Sequence, residues 1–154
     1  MNIFSHLFSS LRETFPARAS EWALATMLFG WAVVLSSNPV LFETQRSYIA
    51  LAQLMDQTTW AWLCLVAGGS RLVFLAINGA WRRTPHLRAL TAFVSSGFWF
   101  LISMGLISAG TGGTGLAIYP VLFALDAFNV IRAMGDAGSA DRFYRETHRH
   151  EPDA

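Results

Sequence analysis

The chain has 154 residues, of which 53% are hydrophobic and 14% charged, against roughly 25% charged in an average soluble domain. Its 11 basic side chains are all arginine, and 10 acids leave a net charge of +1, which excludes the broad basic surface that nucleic-acid binding requires. Cys64 is the one cysteine, so an internal disulfide and a zinc–thiolate site are excluded too.

The apolar residues fall in blocks about 20 residues long, the length that crosses a bilayer as a helix. An all-α integral membrane protein is expected: a single domain, residues 1–154, built as a bundle of four transmembrane helices. Residues 1–19 are expected to form an N-terminal amphipathic interfacial helix. Phe4, Leu7, Phe8, Leu11 and Phe15 recur at spacings of three and four, with His6, Ser9, Ser10 and Glu13 opposite them. That helix lies along the inner membrane surface or packs beneath the bundle, and a break is expected at Pro16. A cleaved signal peptide is disfavoured by the weak cleavage context at Ser36 and Ser37.

The first span covers about residues 21–42 and is free of charge from Trp22 onward. Asn38-Pro39 opens the longest connection as a turn. Within it Tyr48, Leu51, Ala52 and Met55 predict a short amphipathic helix in the first outer loop, tipped by Glu43, Arg46 and Asp56. The second span, 60–80, is interrupted by Arg71 and flanked by Trp60, Trp62 and Trp81, as interfacial tryptophan tends to be. The third covers 87–109 and the fourth 115–134, carrying Pro120 and Asp126. The AGTGGTG between them lacks the preceding strand and the Lys-Ser/Thr of a phosphate loop, and reads as a flexible outer turn. Residues 135–154 form a polar cytoplasmic tail.

Arginine placement sets the orientation. Arg12, Arg18, Arg82, Arg83, Arg88, Arg132, Arg142, Arg145 and Arg149 fall on one side of four spans and only Arg46 on the other. Cytoplasmic flanks are enriched in basic residues, so both termini are expected inside the cell.

Arg71 lies about ten residues from each end of its span, at a depth where an arginine costs roughly 2.5 to 3.5 kcal/mol before it finds a partner. Asp126 is the one acid inside a predicted span. Asn78 follows Arg71 by two helical turns, and Tyr119 and Asn129 flank Asp126 at spacings of seven and three. Spans two and four are therefore expected to face each other through an Arg71–Asp126 pair, extended by Asn78, Asn129 and Tyr119. Three roles are open to it: a structural pair that fixes helix rotation and register, part of an ion or proton path, or a pair between molecules. No histidine falls within a span to serve as a proton relay.

Arg82, Arg83 and Arg88 make a basic inner loop expected to face lipid or a partner, where each contributes about 1 kcal/mol of attraction to an anionic leaflet. The alternatives are simple anchoring, docking of an acidic partner, and docking of the chain's own tail. Gly97 and Gly105, two turns apart, suit either self-association or close packing within the monomer. His6, His86, His148 and His150 lie outside the spans, and neither HExxH nor GxSxG occurs. No catalytic residue, metal ligand or cofactor site is expected. The expected partners are the lipid bilayer and a second copy or another membrane protein, with no nucleic acid.

The stretch RLVFLAINGAWRRTPHLRAL, Arg71 to Leu90, together with YPVLFALDAFNVIRA, Tyr119 to Ala133, resembles small four-span membrane proteins encoded by tailed bacteriophages and prophages. The residues that carry it are Arg71, Asn78, Gly79, Arg82, Arg83, Pro85, Arg88, Tyr119, Asp126 and Arg132. The resemblance implies residence in the bacterial inner membrane and a part in host lysis or host takeover. It brings no activity with it. The expected function is non-enzymatic, an accessory or scaffold protein that acts by assembly; the alternative is a holin-like lysis protein or a small oligomeric channel.

Overall fold

The computed structural model describes residues 3–80 and 85–148, and side chains within 18–77 and 86–139 together with Arg142. The described residues are mostly helical and include no strand. Helix α1 is Ile3–Ser37, α2 Leu41–Thr44, α3 Ile49–Leu54, α4 Gln57–Ala80, α5 Pro85–Ala109 and α6 Gly115–His148, with a 3-10 turn at Arg46–Tyr48 before α3. Four of them are long and apolar enough to cross a membrane, over Arg18–Ser37, Gln57–Ile77, His86–Ala109 and Gly115–Ser139.

Two boundaries differ from expectation. Helix α1 runs without interruption through Pro16, so residues 3–19 continue the first long helix and are not a separate element. Proline removes one N–H and crowds the carbonyl four residues back, yet its fixed φ near −65° is a helical φ. It can therefore bend a helix without ending it. The side chains of Phe4, Leu7, Phe8, Leu11 and Phe15 lie outside the described residues. At the other end α1 stops at Ser37, short of residue 42. There Asn38 donates its side-chain amide back to the Val34 carbonyl at 3.0 Å, and Pro39 cannot extend the ladder. Helix α6 continues past residue 134 to His148, which makes most of the polar tail helical.

The long helices pack in a ring, α1 on α4, α4 on α5, α5 on α6 and α6 on α1. Ring neighbours are antiparallel, which leaves α4 and α6 parallel across a diagonal. Helices α1 and α4 approach closely at Gly68, where an added Cβ would lie 2.6 Å from the backbone nitrogen of Phe29 in α1. Leu24, Leu28, Trp60, Trp99 and Ile102 fill the interior at 0–1% exposure, so Trp99 is a core aromatic. The outward faces remain apolar: Val66, Phe93, Val121 and Ile131 are each 60% exposed or more.

The segment from Asn38 to Asp56 closes one end of the ring. Gln57 at the start of α4 donates its amide to the Leu35 and Asn38 carbonyls and accepts from the Phe42 backbone N–H. Trp60 Nε1 donates to the Leu51 carbonyl at 3.1 Å. Leu51 is fully buried and sits where a side chain at residue 105 would otherwise stand, within 2.6 Å of that Cβ position. Gly105 is thus spent on packing within the monomer, and Gly97 has nothing within 4 Å. Of the residues predicted to share the apolar side of this connection, Ala52 is exposed. The turn between α5 and α6 passes through Gly110 and Gly112 at φ of 62° and 59°, which residues with a Cβ rarely adopt.

Candidate functional site

Arg71 leaves α4 and Asp126 leaves α6, and they meet inside the ring. Nη1 donates to Oδ2 and Nη2 to Oδ1, both at 2.7 Å. Their side chains are 1% and 0% exposed. The paired, planar geometry is the strongest that these two groups form, and it satisfies both carboxylate oxygens at once. The helices that carry them do not share a packed seam. The length of the arginine side chain, not helix-on-helix contact, closes the diagonal.

The polar network expected around that pair divides into separate contacts. Tyr119, two turns before Asp126, accepts a hydrogen bond from Trp31 Nε1 at 3.0 Å and stacks on Trp99 with ring centroids 6.1 Å apart. It belongs to an aromatic cluster at the closed end, about 10 Å along the helix from Asp126. Asn129 is fully buried and accepts from Ser20 Oγ at 2.9 Å, tying α6 to α1 where a tie to α4 was expected. Its Nδ2 has no partner, and neither do Ser95 Oγ or Trp99 Nε1. The Asn78 side chain lies outside the described residues.

A second cluster of charges lies toward the opposite end. Arg88 donates to Glu21 through Nη2 at 2.6 Å and Nε at 3.2 Å, and to Asp136 through Nη1 at 3.0 Å. Arg132 adds a contact to the same Glu21 oxygen at 2.9 Å. The Arg88 and Glu21 side chains are 6% and 3% exposed. Arg88 is therefore not a surface arginine of a basic loop but an internal bridge between α1, α5 and α6. Asp136 falls in the segment expected as tail, so one of its partners is the chain's own C-terminal region. Arg82 and Arg83 lie outside the described residues.

Glu21 goes unread in the sequence because it stands at the edge of the first predicted span, 21–42, just before the uncharged run that starts at Trp22. One signal in the sequence pointed toward it: Arg132 and Asp136 are spaced to share a helix face. A buried carboxylate that faces two arginines is held as a charge-compensated unit, since any one of these ions alone would be costly there.

The closed end holds an open cavity of about 280 Å³ lined by Gln45, Ser47, Tyr48, Thr111, Thr114 and Tyr119, among others, with no charged side chain. Burial pushes the Tyr48 phenol above its usual pKa. Cys64 is free and buried. Among the described residues no three His, Cys, Asp or Glu side chains converge as a metal ion would need. No family model matches the chain, and no curated protein or solved structure is similar to it.

Proposed function

We propose that the chain is a multi-pass protein of the bacterial inner membrane that acts by assembly with other membrane components and catalyses no reaction. The observation that carries this reading is the distribution of charge. Arg71 and Asp126 compensate each other inside the bundle, Glu21 and Arg88 do so nearer its end, and the outward faces are apolar. In water that arrangement would expose far more apolar surface than a soluble monomer tolerates. In a bilayer the same surface is solvated, and the buried charges are where they can meet. The arginine asymmetry then puts both termini and the Glu21–Arg88 cluster on the cytoplasmic side, and the Asn38–Asp56 segment outside.

The filled interior supports a scaffold over a channel within one molecule. Trp60, Trp99 and Arg71 are all fully buried. The helical extension of α6 from Ser139 to His148, where Arg142 is exposed, gives the cytoplasmic side a surface for partners. A second reading is permeation by oligomers, as a holin-like lysis protein. It is favoured by the outer face of α5, where Phe93, Val94, Phe100 and Met104 are exposed around the uncovered Gly97. The resemblance to phage-encoded membrane proteins suits either reading.

Induced expression in bacteria loaded with a potential-sensitive dye separates them. A scaffold leaves the membrane potential intact at expression levels that saturate the membrane. Abrupt depolarisation and growth arrest would replace the scaffold reading with permeation.

A further inference from the structure

Among the described residues, the charge cluster around Glu21 and Arg88 holds more positive than negative groups. Arg18 from α1, Arg88 from α5 and Arg132 from α6 share Glu21 and Asp136, and Arg18 interacts electrostatically with all four of the others. Among the described side chains, three guanidiniums against two carboxylates leave an excess of one positive charge. Three of the four carboxylate oxygens in the cluster accept from these arginines: Glu21 Oε1 takes Arg88 and Arg132, Oε2 takes Arg88, and Asp136 Oδ2 takes Arg88. Arg18 Nη1 is buried and has no hydrogen-bond partner among the described residues. A buried charged donor without an acceptor carries a larger penalty than a neutral one, so this position favours an added anionic oxygen. Arg132, which acts electrostatically on Arg18, has a side chain 35% exposed and one Nη committed to Glu21.

The depth of the cluster indicates where that oxygen comes from. In the sequence Arg18 follows Arg12 and Glu13, Arg88 follows Arg82 and Arg83, and Asp136 precedes Asp141, Arg142, Arg145 and Glu146, with an apolar block on the other side of each. These groups therefore stand where apolar sequence gives way to polar, which in a membrane is the level of lipid headgroups. We propose that Arg18 and Arg132 form a binding site for the phosphate of an anionic phospholipid headgroup, with the part-exposed Arg18 guanidinium donating to a phosphate oxygen. The site rests on the membrane reading given above. A guanidinium fork matches phosphate geometry, and the bound headgroup neutralises the excess charge while its acyl chains follow the apolar faces of α1 and α6.

The test uses the full chain in nonionic detergent, titrated with phosphatidylglycerol or phosphatidylcholine, with retained lipid read by native mass spectrometry. Wild type should retain phosphatidylglycerol about tenfold more tightly, the scale of one charge-assisted hydrogen-bonded contact. Arg18→Gln should remove most of that preference and Arg132→Gln part of it. Arg142→Gln, a change at an exposed arginine of the α6 extension, should cost no more than the roughly fivefold of a diffuse surface charge. Equal retention of the two lipids, or equal losses from Arg18→Gln and Arg142→Gln, would overturn the site. Displacement of the lipid by millimolar inorganic phosphate would reassign it to a soluble anion and overturn the lipid source. Should Arg18→Gln fail to fold, unchanged preference in folded Arg132→Gln would count against the site and reduced preference for it. Flotation with neutral phosphatidylcholine vesicles separates the two layers of inference. A chain that does not float refutes the membrane reading and the site together, and one that floats without lipid preference refutes the site alone.

Discussion

Arg71 and Asp126 show how one contact constrains a bundle while contributing little net energy. Burying two ions costs several kcal/mol each, and a well-formed pair returns about that amount. Losing one partner is a different matter. Asp126→Ala strands a guanidinium that cannot shed its charge, whereas Arg71→Leu leaves a carboxyl that can take up a proton and become neutral. Asp126→Ala should therefore destabilise by about 3–5 kcal/mol, Arg71→Leu by less, and the double change should recover much of the loss. Thermal unfolding in detergent measures all three; additive losses would show that the two residues do not meet. Asp56 offers a pH-dependent check on the same chain. It caps α4, accepting the Thr59 hydroxyl at 2.6 Å and the Thr59 N–H at 2.9 Å, and these bonds hold its carboxyl below the usual range. A lowered folded pKa means the stabilisation is present above the unfolded value, near 4, and is lost as pH falls through the folded value. The unfolding temperatures of wild type and Asp56→Ala should differ at pH 6 and converge toward pH 2. A gap that persists at pH 2 would show that the ionised carboxylate is not what caps the helix.

The long elements were legible because each is an apolar block bounded by turn or charged residues, and four blocks gave four long helices. Local rules placed the ends less well. Pro16 is a helix breaker by propensity, but helix formers on both sides carry α1 across it, so a boundary drawn at that residue cut one element in two. The connection at 38–56 has an amphipathic pattern that names Leu51 correctly as apolar. Its burial, however, depends on Gly105 and Gln57, which are distant in sequence and carry no local sign of that contact. Helix contacts can be tested at glycine. Gly68→Ala places a methyl against the α1 backbone at Phe29 and should cost about 1–3 kcal/mol, the usual toll of overpacking. Gly30→Ala meets open space and should be neutral or stabilise by up to about 1 kcal/mol through helix propensity. Unfolding temperatures that shift alike for both variants would contradict the α1–α4 contact.

The ring order α1, α4, α5, α6 could not be read from the sequence, because apolar helices offer many equivalent pairings. Two charge clusters reduce that choice. Arg71 must reach α6, and Glu21 must reach α5 and α6 at once, conditions that a ring with α4 and α6 on one diagonal satisfies. The sequence showed the first pair, since both charges stood alone in apolar blocks. It hid the second, since Arg18, Arg88 and Arg132 resembled ordinary cytoplasmic flank residues. The central claim, that this bundle spans the membrane with the Glu21–Arg88 end inside, is tested most directly by cysteine accessibility in intact bacteria. Cys64 is buried and should stay unlabelled by a membrane-impermeant maleimide. Glu43→Cys, exposed in the 38–56 segment, should label in intact cells. Ser139→Cys, exposed on α6, should label only after lysis, and labelling of Ser139→Cys in intact cells would contradict the account.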